Sequence, residues 1–141
     1  MPPLIRSGLA IISGLAKGVD AAAHRETLNT GGTTIAVLGN GIDHIYPSDH
    51  HNLAEEILKN GGSIVSEFAP GVSPAPYHFP RRNRIVSGLS LGTLIVEGKE
   101  KSGSLITAHC ALEQNRDVFA VPHFPTAILG GAPNRLIQKG E

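Results

Sequence analysis

Cysteine is nearly absent: the 141 residues hold one, Cys110. It cannot close an internal disulfide, and in its apolar surroundings the expected role is that of a small buried hydrophobe rather than a reactive thiol. A reducing, cytoplasmic setting fits. Charge imbalance is absent too, with 12 basic and 12 acidic side chains and a pI near 7.1. That argues against a wholly basic nucleic-acid coat, although a local patch can still act. No apolar run approaches the roughly 20 residues that span a bilayer. The start, MPPLIRSG, has neither the length nor the apolar core of a signal peptide. A soluble intracellular protein without membrane association is the expectation.

Several chemical signatures are also missing. Seven histidines are present, but no HExxH or Cys/His cluster accompanies them, so no metal or other cofactor is expected. His24 stands one turn after Asp20, and a structural i, i+4 hydrogen bond is the expected use of that pair. Neither the Walker spacing, the G-x-G-x-x-G fingerprint nor a G-x-S-x-G elbow occurs. No catalytic residue is assigned, and no repeat or linker divides the chain, which has the length of one compact domain.

Five short apolar runs are present: LAIIS (9–13), TTIAVL (33–38), SIVSEF (63–68), TLIVE (93–97) and DVFAV (117–121). They are nearly continuous rather than alternating, as expected of strands covered on both faces. Between them VDAAAHRETL (19–28) closes on Gly31-Gly32, and SDHHNLAEEILKN (48–60) closes on Gly61-Gly62 with Ser48 or Asp49 as a cap. SLITAHCALEQN (104–115) supplies a third helix, with Ser102 or Ser104 as its cap. The pattern predicts an α/β, Rossmann-like, doubly wound and mainly parallel sheet with helices on both faces. MPPLIRSG reads as the tail of a helix feeding the first of these runs, so the usual opening strand is expected to be missing and residues 1–141 to be a partial core domain.

In such a sheet, ligands bind beyond the carboxyl ends of the strands. GLAKG (14–18), GNGID (39–43), the long Pro-rich loop 69–80 ending in FPRRNR, and GKEKSGS (98–104) all follow strands. Six of the twelve basic residues, Lys17, Arg81, Arg82, Arg84, Lys99 and Lys101, fall in these loops. Glycines flanking Lys17 let backbone amides approach an oxyanion, and a helix N-terminus adds partial positive charge. Gly103 clears the way to the next helix in the same manner. An extended phosphodiester suits such a rim better than one nucleotide does. Tyr77, His78 and Phe79 precede the arginines and could stack on unpaired bases; Phe79 could equally be a core anchor. The arginines have a competing use as well, in salt bridges to Glu67, Glu97 or Glu100.

Taken together, ISGLAKGVDAAAHRETL, TIAVLGNGIDHIYPSDHHNLAEEI, SEFAPG, FPRRNRIVSGLS and VEGKEKSGSLITA…ALEQNRDVFAVP resemble the DNA processing protein A family, also called DprA or Smf. The resemblance implies a Rossmann-like domain that is not an enzyme, that binds and protects single-stranded DNA without strong sequence preference, dimerises, and loads the RecA recombinase in natural transformation. Carried over by position, its SGxAxGxD loop falls on Ser13, Gly14, Ala16, Gly18 and Asp20. F-P-x-R-N-R falls on Phe79, Pro80, Arg82, Asn83 and Arg84, leaving Arg81 at the variable position. S-G-S-L-I-T falls on Ser102, Gly103, Ser104 and the residues to Thr107. Of these positions Ser13, Gly14, Gly18, Phe79, Arg82, Asn83, Arg84, Ser102, Gly103 and Ser104, together with Lys17, Arg81 and Lys101, are the candidate DNA-binding residues. The family's first strand and G-S-R motif do not occur here. Near the end, ILGGAPNRLIQKGE keeps Asn134, Leu136 and Ile137 of a G-x-N-x-L-I segment but has Ala132-Pro133 ahead of the asparagine. The alternative reading is a nucleotide-processing enzyme like the lysine-decarboxylase-like phosphoribohydrolases. Their P-G-G-x-G-T-x-x-E signature carries a catalytic glutamate where this chain reads GKEKSGSLITA.

Overall fold

The computed structural model describes residues 2–140, in two compact units, residues up to His78 and residues from Phe79 onward. Both are α/β with parallel strand pairing, and the fold is Rossmann-like.

In the first unit, α1 (Pro2–Arg6) leads into β1 (Ile11–Ser13), then α2 (Val19–Asn29), β2 (Thr34–Leu38), α3 (His51–Lys59) and β3 (Ser63–Ser66). The sheet order is β1-β2-β3, with Ile12 opposite Ile35 and Val37 opposite Val65. β2 is the central strand, and four of its five residues are buried, which is why its run lacks polar alternation. Helices α2 and α3 lay Ala21, Leu53, Ala54 and Ile57 against Ala36 and Leu38, with Leu15 completing the core. Each large aliphatic side chain buried there contributes about 2 kcal/mol.

The Gly-Gly closings work as read. Gly32 N–H donates to Thr27 O and Gly31 N–H to Leu28 O, with Gly31 at φ +74°, and Gly62 and Gly61 repeat the pattern on Ile57 and Leu58. This 6→1 plus 5→2 pairing ends a helix where only glycine enters the left-handed region cheaply. The caps differ from expectation. α3 starts after a 3-10 turn at Ser48–His50, so its N-cap is His50 rather than Ser48 or Asp49, and it has no side-chain cap; the Asp49 carboxylate pairs with Lys17.

Helix α4 (His78–Gly88) carries the chain into the second unit, followed by β4 (Gly92–Ile95), α5 (Gly103–Glu113), β5 (Asp117–Ala120) and α6 (Gly131–Lys139). β4 and β5 pair in parallel, Leu94 opposite Phe119. Their core joins Ile95, Ala108, Ala132 and Leu136 to Val118 and Ala120. The Ala132-Pro133 departure sits inside this packing. Ala132 N–H donates to Gly98 O at 2.8 Å, and buried Pro133 occupies the first turn of α6, where a missing N–H costs nothing. Asn134 brackets His123, accepting from its N–H at 2.9 Å and donating to its carbonyl at 3.1 Å.

α4 corrects the placement of FPRRNR in a loop. Four prolines between residues 69 and 80 mark irregular chain, but Pro80 is the third residue of α4, inside the first turn, where proline is tolerated. No helix among the described residues is long and apolar enough to cross a membrane.

Candidate nucleic-acid interface

In the first unit, Ser13 ends β1, and Gly14 to Gly18 form the turn into α2, the loop that was expected to offer backbone amides to an anion. The structure ties it down from within. Asp20, in the first turn of α2, accepts from Gly14 N–H at 3.0 Å and Ala16 N–H at 3.2 Å through one carboxylate oxygen. Gly14 is itself buried. Asp20 therefore serves the loop rather than His24, contrary to the i, i+4 expectation.

Leu15 is fully buried at φ +61°, and its carbonyl accepts from His50 Nδ1–H at 2.6 Å. Gly18, the N-cap of α2, is exposed at φ +90° and ψ −129°, a conformation that an L side chain rarely adopts. Lys17 projects into solvent and pairs with Asp49 at 2.9 Å. That hydrogen bond and its charge raise the ammonium pKa and lower the carboxyl's. The ammonium thus stays charged but must exchange Asp49 for any incoming anion.

Beneath this loop lies a buried polar set. Thr34 hydroxyl donates to Ile11 O at 2.7 Å, so its contact with His24 at 2.6 Å is an Nδ1–H donation from the imidazole. His24 Nε2 then carries a lone pair and has no hydrogen-bond partner among the described residues. Burial, only partly opposed by the Asp20 charge and reinforced by His50, pushes the imidazole down to about 4. Asn40, after β2, is buried too and donates to the carbonyls of Gly41 and His44, bracing the GNGID turn.

In the second unit, α4 gives the arginines distinct surroundings. Arg81 and Arg84, three residues apart on one helical face, are exposed. Arg82 keeps only 6% of its surface exposed; its guanidinium lies 5.6 Å from the Phe79 ring centroid, and Nε donates to Asn83 Oδ1 at 3.1 Å. Asn83 Nδ2 donates in turn to Gly103 O at 3.3 Å, tying α4 to the start of α5. The motif had favoured Arg82 and Arg84 over Arg81. Helical geometry instead puts Arg81 beside Arg84 in solvent and Arg82 inside, because residues one apart on a helix point about 100° from each other.

Lys99, Lys101 and Gly103 are exposed on the β4–α5 connection. Ser102 is the N-cap of α5 but makes no capping bond. Its hydroxyl instead meets that of Ser104 at 2.5 Å, both packed over Gly98, where a β-carbon would collide with them. Cys110 is half-buried, and burial raises its thiol pKa, so it is held as the thiol. Among the described residues no three His, Cys, Asp or Glu side chains group to hold a metal.

The chain as a whole is similar to known proteins. The family model described as DNA recombination-mediator protein A matches residues 1–140. This chain belongs to that family. It is 52% identical to protein Smf of Escherichia coli K12 over 97% of its own length and 37% of the relative's. To DNA processing protein DprA of Bacillus subtilis it is 48% identical over 97% of this chain and 46% of that protein. The solved structure of the family member from Streptococcus pneumoniae superposes with a TM-score of 0.86 at 43% identity, covering 99% of this chain and 50% of that one. The structure from Helicobacter pylori, presented for its unique single-stranded DNA binding mode, gives a TM-score of 0.87 at 33% identity over 99% of this chain and 62% of that one. The chain thus spans less than half the length of these curated relatives.

Two features of the site escaped the sequence. The Asp20 clamp on the first loop and the Asp49 pairing of Lys17 both depend on turns whose geometry only the folded chain defines.

Proposed function

We propose that this chain is a single-stranded DNA-binding module of DNA processing and recombination, holding phosphates by exposed cations with little regard to sequence. The likeness to the Helicobacter pylori protein, with its single-stranded DNA binding mode, carries the reading. Arg81 and Arg84 on one face of α4, Lys101 beside the α5 N-terminus and Lys17 on the first unit's rim are the cations assigned to the backbone. Arginine suits that task because its planar fork engages two phosphate oxygens. Gly18, Ser102, Gly103 and Ser104 shape the neighbouring backbone. Phe79, Arg82 and Asn83 hold α4 against α5's first turn, and Asp20 holds Gly14 and the end of β1 at Ser13. In the full-length protein we assign to this module a place in a cytoplasmic homodimer that protects the strand and hands it to a RecA-type recombinase during transformation. We read it as a binding protein rather than an enzyme, since residues 98–108 lack the glutamate of the phosphoribohydrolase signature.

Arg84→Ala tests the backbone assignment. It is expected to weaken binding about tenfold, equally for oligothymidylate, oligoadenylate and mixed strands, as measured by fluorescence anisotropy. A loss confined to one base composition contradicts it.

A further inference from the structure

We propose that Tyr77 is a stacking platform for one unpaired base of the bound strand. The inference rests on the single-stranded DNA reading and adds a base contact to its phosphate contacts. Residues 77 to 79 are three consecutive rings, and the fold treats each differently. His78 is half-buried; its Nδ1–H donates to Gly39 O at 3.1 Å, and its ring packs on Phe68 with centroids 4.3 Å apart. Phe79 is also half-buried, with the Arg82 guanidinium over its ring. Tyr77 meets the His78 ring nearly perpendicularly at 4.6 Å and leaves 75% of its surface exposed.

Placement separates this tyrosine from a ring stranded on the surface. Gly39 directly follows β2, and Phe68 follows the end of β3 by two residues. The Phe68–His78–Tyr77 ladder therefore stands at the carboxyl edge of a parallel sheet, the edge where ligands bind in this class of fold. Lys17, beyond the carboxyl end of β1, belongs to the same edge of the same unit. A cation for the backbone and an open ring for a base are the two components that binding to single strands combines. The ladder also lowers the cost of using the ring: His78 is fixed by a hydrogen bond and by Phe68, and tyrosine has only two side-chain torsions to freeze.

The occupant is an unpaired base. Within a duplex, both faces of each base are covered by neighbours, so the ring has no surface to meet. On a single strand every base presents a π-face, which makes the contact indifferent to sequence. Tyr77 thus discriminates strandedness, whereas the cations do not.

The test compares the intact chain with Tyr77→Ala and Tyr77→Phe, each titrated against oligothymidylate and an abasic oligomer with the same number of phosphates. Tyr77→Ala is expected to weaken thymidylate binding on the order of ten- to a hundredfold while abasic binding stays within about twofold. Tyr77→Phe retains both affinities. Thermal unfolding of the variants should match the parent, since the side chain is exposed. Equal losses on the two oligomers, no loss on either, or a parent that binds them equally well overturns the stacking role and leaves the phosphate reading standing. A parent that binds neither oligomer overturns both.

Discussion

Between pH 6.5 and about 4 the protein is expected to lose about 3 kcal/mol of stability to one imidazole, and His24→Leu is expected to remove that loss. The folded pKa of His24 lies below its unfolded value, so in this window the unfolded chain binds the proton and the folded one does not. Stability from this group is complete above 6.5, falls as the pH drops through the window, and levels off below the folded value. The cause is structural. Nδ1–H already serves Thr34, and a proton on Nε2 places a charged donor in the core with no acceptor among the described residues. Asp20 attracts that charge and His50 repels it, but burial outweighs both. Urea unfolding at pH 7.5, 5.5 and 4.5 measures the effect. Parallel pH dependence in parent and variant contradicts it.

Asp20→Ala is expected to cost about 3 kcal/mol, with Asp20→Asn costing less because one acceptor oxygen remains. The carboxylate takes two backbone amides, one of them from the buried Gly14, and hydrogen bonds to a charged group contribute about 1.5–3 kcal/mol each. It also sits in the first turn of α2, where the helix dipole favours negative charge. The loop that it holds includes Leu15 at φ +61°, a conformation costing on the order of 1 kcal/mol for a residue with a β-carbon. With the clamp removed, that strain favours release of the loop. Urea unfolding at neutral pH again gives the number, and an alanine variant within about 0.5 kcal/mol of the parent shows that the loop holds itself.

The strands were legible because their apolar runs are short and bounded. β2 fell within its predicted run, and β4 started one residue before its own at Gly92. Helices α2 and α3 were legible because each ends on Gly-Gly, which forces the 6→1 closing wherever it falls in the fold. α4 was hidden by the prolines before it. A loop has no faces, so local spacing did not separate exposed arginines from a buried one; once residues 78–88 are helical, the positions of Arg81, Arg82 and Arg84 follow from their spacing.

Other features lay beyond local spacing. Lys17 meets Asp49 across 32 residues, through a 3-10 turn that no periodicity announces. Asp20 and His24 had the right spacing for a pair, but the amides of Gly14 and Ala16, in the loop before α2, took the carboxylate, and the histidine was already engaged by Thr34. Ser102 had the residue type and position of a cap, yet its hydroxyl faces Ser104 because both crowd onto Gly98.

Salt dependence of single-strand binding by the intact chain tests the central claim most directly. If exposed Arg81, Arg84, Lys101 and Lys17 hold the backbone, log affinity falls linearly with log salt, with a slope of roughly −0.7 for each phosphate neutralised. Affinity for single strands also exceeds that for duplex throughout the titration. An affinity that does not change as salt is raised contradicts the account.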